Sequence, residues 1–223
     1  MSTFLQADKS NFRAGRTESV KYIVVHYTAN NGDTARGNAI YFHNNENLNA
    51  SAHYFVDENE AVQSVKEADT AWHCGAKTYK HLYCRNNNSL GVELCSRKDS
   101  AGKYYFKAET VSNAVALVKS LMAKYGIDIE HVLRHYDVTG KNCPAPFVED
   151  EGAWRAFKAG LKIGEETEMP KTTVVYTLPD GQKLTDHDCV NLDGSIKGSV
   201  RLILEALGYK VTWHSGNIIV SKA

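Results

Sequence analysis

The sequence lacks an excess of charge of either sign: 26 basic side chains match 26 acidic ones, and the pI lies near 7.1. Without a bulk positive field the chain has no general electrostatic hold on nucleic acid or anionic lipid, so a neutral substrate or a local charged site is expected. Long apolar runs are missing too. Nothing approaches the roughly 18 consecutive apolar residues of a spanning helix, which argues against stable membrane insertion. The first residues, MSTFLQADKSNFRAGR, carry no apolar stretch behind a basic start. They do not read as a secretory signal, and synthesis ending in the cytoplasm is the expectation. Proline is scarce at 4, and with 16 glycines the chain is neither collagen-like nor of low complexity. The five cysteines, Cys74, Cys84, Cys95, Cys143 and Cys189, are odd in number and form no CxxC pair, against both a disulfide framework and a zinc ribbon.

What is present is a globular composition, 43% apolar and 23% charged over 223 residues, enough for one medium domain and an appendage. Residues 21–27 (KYIVVHY) form a β-branched apolar run, as expected of a strand buried on both faces. Residues 34–43 carry a Thr cap and apolar positions at helical spacing. Residues 53–56 and 61–65 flank the polar DENE and predict a hairpin. In 89–95 (SLGVELC), Leu90, Val92 and Leu94 share one face, so Glu93 projects from the other. The strongest helix spans 110–125, with Gly126 placed to end it. Residues 131–135 read as a short strand, and 136–147, with Gly140, Pro144 and Pro146, as an irregular loop. Trp154, Phe157 and Leu161 mark a last helix. The order predicts an α/β domain over residues 1–163, with a central mixed β-sheet flanked by helices.

Residues 164–171 (GEETEMPK) have the composition of a linker. Beyond it, 172–223 predicts a small βαββ-like domain: a strand at 172–178, a turn at Pro179-Asp180-Gly181, a helix at 200–207 ended by Gly208, and a hairpin around Ser215-Gly216. A unit of this size buries a marginal core, so docking on the first domain, self-association and a binding module tolerant of low stability are its readings. GSVRLILEALGYKVTWHSGNIIV loosely resembles small domains appended to bacterial cell-surface proteins, which implies cell-wall binding, with homodimerisation or docking as the alternative.

Nine histidines need context to separate them. His26 ends an apolar strand, where an unpaired imidazole costs roughly 1–3 kcal/mol, so it needs a partner or a metal. His135 also ends a strand, and Cys143 follows eight residues later across a loop able to fold back. Two imidazoles and a thiolate leave one tetrahedral position open, the pattern of a catalytic Zn2+ site.

The words around these residues carry more. VVHYTA around His26, AWHCG around His73, LGVEL around Glu93 and RHYDVTGKNCPAPF around His135 resemble, in order and separation, the zinc-dependent N-acetylmuramoyl-L-alanine amidases, a family that includes phage lysozyme-like amidases and animal peptidoglycan recognition proteins. The resemblance covers about residues 18–160. It implies a groove for bacterial peptidoglycan, zinc held by His26, His135 and Cys143, and hydrolysis of the amide between N-acetylmuramic acid and L-alanine. Glu93 is the first candidate for proton transfer, against the plain alternative of a solvated carboxylate on an edge strand. Lys141 matches an oxyanion-stabilising position. Tyr54 matches a tyrosine that contributes to the site in some members; whether it or Glu93 moves the proton stays open. His73 resembles a substrate-contacting histidine, and Trp72, Tyr27 and Thr28 are candidates to line the groove. A cytoplasmic product with an extracytoplasmic substrate fits an endolysin that reaches the wall after membrane permeabilisation. Two rivals remain on the same fold: a peptidoglycan-binding protein without catalysis, against which Cys143 argues, and a protein-binding regulator.

Overall fold

The computed structural model describes residues 3–162 and, beyond them, 171–177, 183–192, 195–197, 208–214 and 217–222. The chain divides into two compact units, Met1–Ile163 and Gly164–Ala223.

The first unit runs β1 (Thr3–Phe4), β2 (Phe12–Arg13), β3 (Tyr22–Tyr27), α1 (Ala35–Asn44), β4 (Tyr54–Val56), β5 (Ala61–Gln63), β6 (Thr70–Ala71), β7 (Ser89–Leu94), β8 (Arg97–Lys98), β9 (Tyr104–Tyr105), α2 (Ala108–Tyr125), β10 (Val132–Arg134), α3 (His135–Thr139), α4 (Ala145–Val148) and α5 (Glu151–Leu161). Six strands form one mixed sheet in the order β1-β5-β4-β7-β3-β10, in which β4 and β5 make an antiparallel hairpin and the other neighbours are parallel. The architecture is the α/β one expected, and β3, buried along nearly its whole length, lies inside the sheet.

The pleat sorts the side chains of these strands to two faces. Ile23 and Val25 of β3, with Leu90, Val92 and Leu94 of β7, pack under α2 and α5 in the main core, where α5 contributes Trp154, Phe157 and Leu161. Residues of the other parity, Val24 and His26 on β3 and Gly91 and Glu93 on β7, face the opposite side. Parallel pairing sets His26 beside Glu93 and Val24 beside Gly91. On that side Ala35 and Ala39 of α1 pack on Phe55 and Val62. Thr34 caps α1 by accepting a hydrogen bond from the Gly37 amide at 3.0 Å, and Gly126, at φ 64°, ends α2 in the left-handed conformation that glycine adopts without a Cβ penalty.

Two expectations for the first unit are corrected. His135 does not close β10 but opens α3, and the stretch expected to be irregular holds both α3 and α4. Gly140, at φ 85°, ends α3, while Pro144 and Pro146 sit at the entry of α4, where a missing N–H leaves no helical bond unmade.

In the second unit β11 (Lys171–Thr177), β12 (Lys183–Leu192) and β13 (Ser195–Lys197) form an antiparallel sheet, and β14 (Tyr209–His214) with β15 (Asn217–Lys222) form the hairpin. The βαββ-like reading is therefore corrected: two further strands follow the first. The polar run TDHDC in β12 masks the alternation by which a strand is read. The helix expected at 200–207 and most of the linker lie outside the described residues, and β11 already begins at Lys171.

Candidate metal centre and groove

His26, His135 and Cys143 come from three elements: the end of β3, the start of α3 and the segment leading into α4. The β3–β7 ladder places His26, and local bonds hold the other two. Arg134 ties α3 to its surroundings, its amide donating to Asp137 Oδ2 at 2.9 Å and its guanidinium reaching Asp137 Oδ1 at 3.0 Å and the Phe147 carbonyl at 3.0 Å. The Tyr136 amide donates to the Cys143 carbonyl at 2.8 Å, folding the thiol back toward α3. One donor atom from each of the three residues lies within 4.8 Å of the others, and all three residues are buried. Cys143 Sγ is 3.7 Å from His26 Nδ1, and the Nδ1 of His135 is buried without a partner among the described residues.

Burial, then the neighbouring His135 and His73, holds His26 well below the ordinary imidazole range; burial, then Lys141, lowers His135 to about 4. Both rings are neutral and offer lone pairs. Burial, with Glu93 nearby, pushes the Cys143 thiol up to about 12, so it ionises only when a cation compensates it. Two neutral imidazoles, a thiol awaiting a cation and an orphaned buried nitrogen fit a tetrahedral zinc ion with one position left open.

Glu93 stands beside this cluster. Its Oε1 is 4.0 Å from His26 Nδ1, its Oε2 is buried without a partner among the described residues, and 21% of the side chain stays exposed. Burial raises it to about 8 against the opposing pull of Lys141. Two open cavities, of about 880 and 890 Å³, share Trp72, His73, His135 and Lys141 along their walls; Tyr27, Thr28 and Glu93 line the first and Asn86 the second. The Lys141 ammonium makes no hydrogen bond or ion pair among the described residues. Tyr27 stacks edge-on against Tyr104 at 5.2 Å, and Thr28 Oγ1 accepts the Ser96 amide at 3.3 Å.

The structure does not bring Tyr54 to this cluster. Tyr54 is 3% exposed, lies in the core under α2, and donates its hydroxyl to Glu67, which also holds Tyr125 and Lys124. Strand alternation turns its neighbour His53 to the site face instead, where Nδ1 accepts the Gly91 amide at 2.9 Å and the ring lies 5.7 Å from His73. The sequence reading missed His53; the alternation in SAHYFV is the signal that separates the two. His73 has neither ring nitrogen free: Nδ1 lies 3.0 Å from His26 Nε2, and Nε2 lies 3.2 Å from the Ser89 hydroxyl. It lines the groove while bonded to a proposed ligand, and Ser89 also went unread.

Residues 16–146 match the family described as N-acetylmuramoyl-L-alanine amidase, a span that includes His26, Glu93, His135, Lys141 and Cys143. The chain belongs to this family. Among the amidases it resembles, CwlL of Bacillus licheniformis is 38% identical over 164 residues, covering 69% of this chain and 44% of that protein. The solved catalytic domain of XlyA, an amidase of Bacillus subtilis, is 30% identical with a TM-score of 0.60, over 72% of this chain and 99% of that one. A solved mutant endolysin from Bacillus subtilis is 32% identical with a TM-score of 0.59, again over 72% and 99%. The chain spans about half the length of the curated amidases it matches first, at 46%, 44% and 46% of theirs.

Proposed function

We propose that the chain is a zinc-dependent hydrolase that cleaves the amide bond between the lactyl carbonyl of N-acetylmuramic acid and L-alanine in peptidoglycan, in the manner of an endolysin. The observation that carries this is the convergence of His26, His135 and Cys143, with His135 Nδ1 and, beside them, Glu93 Oε2 buried and unmet among the described residues. Zinc held by those three donors supplies Lewis acidity to the amide carbonyl and to the attacking water. Glu93, whose carboxyl a cation held beside it would draw back to the ionised form, takes the proton of that water and delivers it to the departing nitrogen, so that hydroxide adds to the carbonyl carbon, the C–N bond breaks, and a muramoyl carboxylate and a free L-alanyl amine result. Lys141, on the wall of both cavities and unpaired among the described residues, stabilises the oxyanion. Trp72 and Tyr27 offer aromatic faces to sugar rings along the groove. The second unit serves to hold the enzyme on the wall, with dimerisation as the competing role, and access to the wall follows membrane permeabilisation.

Purified walls incubated with the protein, with and without a chelator, test the reading. New N-terminal L-alanine, absent with chelator and without new reducing sugar, is the expected result. New reducing ends would mean a glycosidase, and binding without either product a non-catalytic wall protein.

A further inference from the structure

We infer that His73 and Ser89, seated on Gly91, act as a positioning chain that fixes the tautomer of His26, so that its Nδ1 presents a lone pair before any metal arrives. The inference rests on the metal site proposed above. The Ser89 hydroxyl lies 2.6 Å from the Arg85 carbonyl, which has no proton to give, so the hydroxyl donates there. Toward His73 it can then only accept, and His73 Nε2, 3.2 Å away, is the donor. A neutral imidazole carries one N–H, which leaves His73 Nδ1 as an acceptor. The His26 Nε2 facing it at 3.0 Å must therefore carry the His26 proton. That leaves the lone pair on Nδ1, the nitrogen 3.7 Å from Cys143 Sγ.

Burial makes the assignment firm. Ser89 and His26 are almost wholly shielded, so water does not replace either partner. Gly91 supplies the seat: a Cβ there would lie 2.5 Å from His73 Cγ and 2.9 Å from two further ring atoms, so any other residue pushes the ring off His26. His73 and Ser89 are thus positioning residues, acting through His26 rather than on substrate. A metal-bound histidine whose other nitrogen is fixed by such a partner binds its metal about 10–100-fold more tightly.

The test uses the full chain and two readouts. In metal-free protein, 15N NMR of labelled histidine should show His26 protonated on Nε2; a proton on Nδ1 overturns the inference. Zinc affinity by chelator competition should fall about 10–100-fold in His73→Phe, which keeps ring volume and removes both bonds. His73→Asn, whose Oδ1 falls where Nδ1 stood, should restore most of the loss; wild-type affinity in the Phe variant overturns the inference. Should His73→Phe not fold, Ser89→Ala replaces it, with a smaller loss in the same direction expected and none counting against the chain. A wild-type protein that binds no zinc sinks the metal reading, while the His26 tautomer still decides this one.

Discussion

Under α2, Glu67 gathers the hydroxyls of Tyr54 and Tyr125 and the ammonium of Lys124 at 2.6 Å, a cluster in which each of these groups has a partner. Across the sheet, His26, Glu93, His135 and Cys143 also crowd together, but His135 Nδ1 and Glu93 Oε2 are buried with nothing to meet them among the described residues. A buried polar atom left unpaired costs about 1–3 kcal/mol. The first cluster is closed and contributes stability; the second is open and carries a cost that a bound partner would relieve. Neighbouring residues of one segment, Tyr54 and His53, face these two sides: Tyr54 joins the closed cluster, while His53 accepts the Gly91 amide and lies 5.7 Å from His73, which meets His26.

The comparison breaks most visibly at the metal. Cys143→Ser should lose most of its zinc and with it the activity on walls, because a hydroxyl is a much poorer ligand than a thiolate, whereas Cys74→Ser and Cys95→Ser should keep both. Elemental analysis decides, and equal loss in all three would mean that the wrong thiol has been assigned. Next in size, Glu93→Gln and Lys141→Ala should retain zinc yet lower turnover on walls by about 100-fold each, the usual scale for a positioned proton carrier or oxyanion partner. Full activity in Glu93→Gln would remove the open cluster's carboxylate from the chemistry.

Tyr54→Phe sharpens the contrast from the closed side. Turnover should be unchanged, while stability at neutral pH drops by about 1–2 kcal/mol as Glu67 loses one donor. Burial works to raise Glu67, but Lys124, Tyr125 and Tyr54 together hold it below its ordinary 4.5. A carboxylate depressed in this way contributes stability that is present above 4.5 and lost as the pH falls through its folded value, so the variant and the parent should converge in acid. Denaturant titrations across pH show this; a collapse of turnover with stability intact would move Tyr54 into the catalytic machinery. The smallest effect is expected from a chain ending at Ile163, since both clusters lie within Met1–Ile163. It should bind zinc and cleave a soluble muramyl peptide at the parent rate, and be slower on intact walls through lost tethering alone. An insoluble or zinc-free product would show that the two units do not fold independently.

Much of this was legible in the chain. The apolar run before His26 announced a buried strand, the alternation in SLGVEL aimed Glu93 away from the core, and Thr34 and Gly126 bounded their helices, because each depends on residues a few positions apart. Motif order sufficed to join His26, His135 and Cys143. Period-two alternation says which residues share a face but not which face carries the site, and that choice was made by α2 packing over Tyr54 and leaving His53 to the other side. The bonds from His73 to His26 and Ser89 span 47 and 16 residues. Such contacts arise only when β3 and β7 pair and a glycine leaves room for a ring, so that the sequence by itself determined the inventory and the local faces of this protein, while the closing or leaving open of each polar cluster was decided by long-range packing.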